Sequence, residues 1–183
     1  MRYVLGFLLA IGLLILVIFL IVRGFSGDEA GPQAELIDYA QTDTVMRMTV
    51  EGPVNAEQEH RSATVTIGRS SNEINVIQGY QGQVLNTRTY ASNENAYATF
   101  LRALDLQGYN RGDVNPENED SRGYCPTGRV YIFEIITGSA TVQKFWDTTC
   151  GDGTFDGNTS VVRELFREQI PDYSDIIRGT RLN

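Results

Sequence analysis

Residues 125–150 read CPTGRVYIFEIITGSATVQKFWDTTC, two apolar runs around Thr137-Gly138-Ser139 with a cysteine at each end. Runs rich in β-branched and aromatic residues on either side of a glycine turn predict a β-hairpin. With Thr137-Gly138 as the turn, Ile136 faces Ser139, Phe133 faces Val142, Tyr131 faces Lys144 and Cys125 faces Cys150. A turn at Gly138-Ser139 moves the register by two residues and leaves the faces unchanged. In both registers Cys125, Tyr131, Phe133 and Ile135 share a face with Val142, Trp146 and Cys150. Pro126 predicts a local bulge beside the first cysteine.

Three readings of the cysteine pair compete. A redox couple would more often use Cys-x-x-Cys at a helix start. A metal site would need further ligands, and the chain offers one other soft donor, His60 in the polar run EQEHR. A disulfide needs two neighbouring Cβ atoms and an oxidising compartment, and it is the reading that compartment and spacing favour. Two reduced, buried cysteines acting as small hydrophobes are the plain alternative.

Working outward toward the N-terminus, period-two patterns run from Thr44 to Ala91. Met46, Met48 and Val50 share one face, as do Ala63, Val65 and Ile67, and EINVIQGY and QVLNTRTYA follow a turn at Arg69–Asn72. Closely spaced strands joined by such turns predict an antiparallel meander. Ser92 or Asn93 then caps a helix with a stripe of Ala96, Tyr97, Phe100, Leu101 and Leu104, stopped by Gly108. Asn110–Gly123 is nearly devoid of apolar residues and reads as a long solvated loop. Beyond the hairpin, Asn158 or Thr159 caps a second helix that buries Val161, Val162, Leu165, Phe166 and Ile170 before Pro171. Tyr173, Ile176 and Ile177 are expected to dock the final stretch. The predicted fold class is α+β: an N-terminal transmembrane helix, then an antiparallel sheet of meander plus terminal hairpin covered by two amphipathic helices.

Tyr3–Val22 is an uncharged apolar run of 20 residues between Arg2 and Arg23. At about 1.5 Å per residue it matches the roughly 30 Å core of a bilayer. Residues 1–23 are therefore expected to be a single-pass membrane anchor, 24–43 a stem, and 44–183 one extracytoplasmic domain. A cleaved signal peptide is the rival, but Gly24-Phe25-Ser26 is a poor cleavage site and the apolar run is long for one. Beyond residue 23 lie 23 acidic and 13 basic residues, a net charge of −10. A surface of that sign disfavours nucleic acid and anionic headgroups as partners.

Motifs for chemistry are sparse. Asp152, Asp156 and Asn158 invite a calcium reading, yet Arg163 stands where an EF-hand needs its last carboxylate. A turn and helix cap explain the same residues. Arg111-Gly112-Asp113 resembles the tripeptide of integrin-binding loops, and Asn158-Thr159-Ser160 fits a glycosylation acceptor. His60 reads as a surface residue. Glu134, inside the apolar strand YIFEII, is either partly solvated or paired with an arginine such as Arg129. No cofactor is implied. The residues expected to form a contact surface beside the long loop are Tyr109, Arg111, Asp113, Tyr124 and Trp146.

The runs IQGYQGQV, AYATFLRALDLQGYN, CPTGRVYIFEI, WDTTCGDGTFDGN and LFREQIPDY together resemble small membrane-anchored proteins of Saccharibacteria. The resemblance implies an anchored, extracytoplasmic, disulfide-containing domain and supplies no catalytic residue. The expected function is a membrane-tethered module that binds a protein or envelope polymer without turnover. An envelope hydrolase using Glu134 with a second carboxylate, or a calcium-dependent adhesion domain, are the alternatives.

Overall fold

The computed structural model describes residues 35–180 and 182. The expected anchor and residues 24–34 of the expected stem lie outside the described residues. Among the described residues no helix is long and apolar enough to cross a membrane.

Six antiparallel strands form one sheet: β1 Thr44–Glu51, β2 Arg61–Ile67, β3 Ser71–Gln78, β4 Gln83–Ala91, β5 Val130–Thr137 and β6 Ala140–Thr148. Their order is β4-β3-β2-β1-β5-β6. The meander runs to one edge, and the chain then returns to lay the terminal hairpin against β1. Between these halves comes helix α1, Glu94–Leu106; α2, Thr159–Glu168, and the short α3, Tyr173–Arg178, follow the hairpin.

One sheet face packs on the helices. Met46, Met48 and Val50 of β1 alternate with half-exposed neighbours, as a strand with one core face must. They meet Val65, Ile67, Ile74, Phe133, Ile135 and Phe145 from the other strands, Tyr97, Phe100, Leu101 and Leu104 from α1, and Val162 and Phe166 from α2. Asn93 accepts the Ala96 N–H at 3.0 Å and Asn158 accepts that of Val161 at 3.2 Å, so both helices start with a side-chain cap. Leu36 and Ala40, assigned to the stem by sequence, lie in a 3-10 helix, Leu36–Gln41, and are buried in the core. The compact unit accordingly starts at Glu35.

The hairpin corrects the sequence reading. Thr137 pairs with Ala140, so the turn is Gly138-Ser139, but Ile136 faces Thr141 while Ile135 faces Gln143. Val142 is thus an extra residue, a β-bulge, and every pair beyond it is displaced by one. Phe133 opposes Phe145, and Ile132 opposes Trp146. A one-residue slip exchanges faces, so Trp146 and Phe133 lie on opposite sides of the sheet, and Val142 is exposed.

Tyr109 is the second correction. It is 1% exposed. The Gly108 N–H bonds to Asp105 O at 3.0 Å and the Tyr109 N–H to Leu104 O at 3.1 Å. That is the paired pattern of a Schellman helix stop, with Gly108 at φ +73°. The motif turns the next apolar residue inward. The Tyr109 ring meets Phe133, Phe155 and Phe166, and its hydroxyl reaches the carbonyls of Arg47 and Glu134 at 2.8 and 3.0 Å. Burial pushes this phenol well above its ordinary pKa.

Candidate functional site

The second sheet face carries polar residues. Its register sets Glu134 between Arg47 and Lys144, Thr49 between Thr64 and Ile132, and Glu51 between Ser62 and Val130. The Thr49 and Thr64 hydroxyls lie 3.2 Å apart. Three loops rise over this floor and enclose a cleft of about 630 Å³.

One wall is the β1–β2 loop together with the β3–β4 turn. The Tyr80 hydroxyl donates to Asn55 O at 2.9 Å and accepts the Asn55 N–H at 3.1 Å. Glu57 accepts the N–H groups of Tyr80 and Gln81 at 3.2 and 3.4 Å. His60, expected at the surface, is 5% exposed, with its ring stacked on Tyr80 at 4.1 Å and Nδ1 3.3 Å from Pro53 O. Tyr80 is thereby backed on one side by a buried ring, while 55% of it remains exposed.

The opposite wall is Ser121–Cys125. Tyr124 lies 4.7 Å from the Trp146 ring, and the Trp146 indole N–H donates to Asn118 O at 2.8 Å. Trp146 is therefore a buried support, and Tyr124, 45% exposed, is the surface group. Arg122 clasps Asp120 through Nε and a terminal nitrogen at 2.6–3.0 Å, holding that carboxyl at about 2. Cys125 and Cys150 form a disulfide with Cα atoms 5.5 Å apart. The displaced strand register does not prevent it, because both cysteines lie beyond the strand ends. The Val54 N–H donates to Pro126 O at 2.8 Å, which ties the two walls together.

The expected contact residues divide. Tyr124 stays at the surface and lines the cleft; Tyr109 and Trp146 are interior. Arg111 and Asp113 are exposed but lie outside the cleft lining. Gly112 bridges to Phe155, where a Cβ would stand 2.3 Å from Thr154 O. Asp113 accepts the Asn115 N–H at 2.9 Å and the Asn118 amide at 2.6 Å, bonds that lower its pKa. The tripeptide's glycine and aspartate thus fold their own loop. Tyr80 and His60 were missed as site residues. The signal for Tyr80 was its place in the short Gly79–Gly82 connection between β3 and β4, which sets its ring at the strand ends.

Glu134 stands 4.0 Å from Arg47, not Arg129, with Lys144 opposite it on β6. Its immediate charged neighbours in the register are cations, whereas a two-carboxylate hydrolase needs a second acid there. Among the described residues no group of three or more His, Cys, Asp and Glu is gathered for a metal ion. The Asn158 amide oxygen is engaged by Val161 N–H and the Ser160 hydroxyl. No protein-family model matches this chain, and no curated protein matches it.

Proposed function

We propose that this chain is a membrane-tethered interaction module that holds a cell-envelope polymer in the cleft between Tyr80 and Tyr124, without turning it over. The observation that carries the reading is the pair of half-exposed tyrosines, each backed by another ring, on opposite walls of one cleft with a hydroxyl-bearing floor. Aromatic rings held from behind give contact area at little cost in side-chain entropy. The floor offers hydroxyls of Thr49, Ser62 and Thr64 as both donors and acceptors. That combination suits a polyhydroxylated chain such as an envelope glycan. Glu51 and an Arg122 already paired with Asp120 leave the cleft without strong charge of one sign.

Placement outside the cytoplasm is supported by the disulfide, since such bonds persist in oxidising compartments. The apolar run Tyr3–Val22 supports the tether, as does the likeness to anchored proteins of Saccharibacteria. The test is co-sedimentation of the full chain, in a non-ionic detergent, with purified insoluble envelope polysaccharide. Tyr124→Ala should weaken binding roughly tenfold, the scale expected for one aromatic anchor. Equal retention of wild type and variant, or release of soluble sugar on incubation, would refute the proposal.

A further inference from the structure

A second cavity, of about 300 Å³, opens on the helical side of the sheet, lined by β1, β5, α2, α3 and Leu182. Four of the chain's 15 basic residues line it, Arg129, Arg163, Arg167 and Arg178, and none of its described lining residues is acidic. In a chain of net charge −8 this concentration runs against the general sign.

The arrangement is built rather than incidental. Arg163 and Arg167 are four apart on α2 and so share one edge, where like charges repel. The Arg163 guanidinium lies over the Tyr131 ring at 4.1 Å and makes no ion pair among the described residues. A stacked guanidinium keeps its in-plane N–H edge for an acceptor. Arg167 bonds Glu164 through one terminal nitrogen at 2.8 Å, yet its Nε is buried without a partner. A buried donor left unsatisfied is costly, and a turn of the Arg167 side chain toward an acceptor in the cavity would remove that cost. The Glu164 and Asp175 side chains that meet Arg167 and Arg178 are more than half exposed, so these pairs neutralise little. The Arg167 guanidinium lies 5.3 Å from the Tyr173 ring, and Arg163 and Arg129 line the same cavity. Met48, Val50 and Ile177 supply an apolar floor.

We propose that this cavity binds a small amphipathic anion, a phosphate or carboxylate on a flat apolar body, with Arg163 and Arg167 holding the charge and Val50, Tyr173 and Ile177 receiving the body. The volume lies at the small end for ligand pockets and suits one ring with its acid group. The site is distinct from the polymer cleft and does not depend on it.

The test is calorimetric titration of the full chain in non-ionic detergent with phenyl phosphate and with benzoate, against phenol and inorganic phosphate. Saturable single-site binding of at least one aryl acid is expected, with a dissociation constant below about 1 mM. The tighter of the two identifies the acid group. Arg163→Gln and Arg167→Gln should each weaken it about tenfold, while Arg69→Gln, outside the cavity, and Tyr124→Ala should leave it unchanged. Unaltered melting temperatures would establish that the variants are folded. No binding of either acid up to about 10 mM, wild-type affinity in both Arg163→Gln and Arg167→Gln, or equal affinity for inorganic phosphate and the aryl acids would overturn the assignment.

Discussion

Breaking the Cys125–Cys150 bond should be the most informative single perturbation of the folded domain. The bridge closes a loop of 25 residues. In the chain-entropy model a loop of that length restricts the unfolded state by about 3.5 kcal/mol at 25 °C. Cys125 sits at φ +51°, in the left-handed region that a residue with a Cβ avoids. Relief of that conformation returns about 1 kcal/mol, leaving a net loss of about 2.5 kcal/mol. For a domain near 150 residues, each kcal/mol moves the midpoint by about 2–4 °C. Reductant, or Cys125→Ser with Cys150→Ser, should therefore lower the melting temperature by about 5–10 °C. The chain has a single tryptophan. Because Tyr124 precedes Cys125 and covers Trp146, emission should shift to the red below the main transition as the cleft wall loosens. A midpoint unchanged by reduction, with Trp146 emission also unchanged, would refute both the linkage and its role in the wall.

Two further outcomes concern protons. The Asp120 carboxyl should titrate near 2 in a carboxyl-resolved NMR experiment, and Arg122→Gln should return it toward its ordinary 3.8. The sign follows from a depressed folded value: the stabilisation is present above 3.8 and is lost as pH falls through about 2. Burial raises the Tyr97 and Tyr109 phenols, so their stabilising effect is present below the ordinary 10.0 and is lost as pH rises. In a phenolate absorbance titration these two should ionise only as the chain unfolds.

The sheet was largely legible because β1 and β2 each bury one face and alternate accordingly, and α1 carries its stripe at helical spacing. What failed did so for local reasons. The turn residues imply a hairpin register but carry no sign of the bulge at Val142 that moves Trp146 to the other face. Tyr109 stands among Gly, Asn and Arg and so looked like a loop residue, yet the sequence did contain its signal. An apolar residue directly after a helix-stopping glycine packs back on the helix. His60 was hidden differently. Its partner Tyr80 is brought to it by strand pairing, the Gly79 N–H bonding to His60 O at 3.0 Å, and no local pattern encodes a stack across two loops. The cleft was invisible for the same reason, since its walls come from three separated stretches joined only by the fold.

A bound polymer should touch the domain along the floor and walls of the cleft. Hydrogen exchange of the full chain, with and without soluble fragments of envelope polysaccharide, reads this directly. Protection is expected in Thr49–Val54, Gly79–Gly82 and Ser121–Cys125, the floor and both walls of the cleft. Binding that protects only α2 and α3, with those three stretches exchanging as in the free protein, would contradict it.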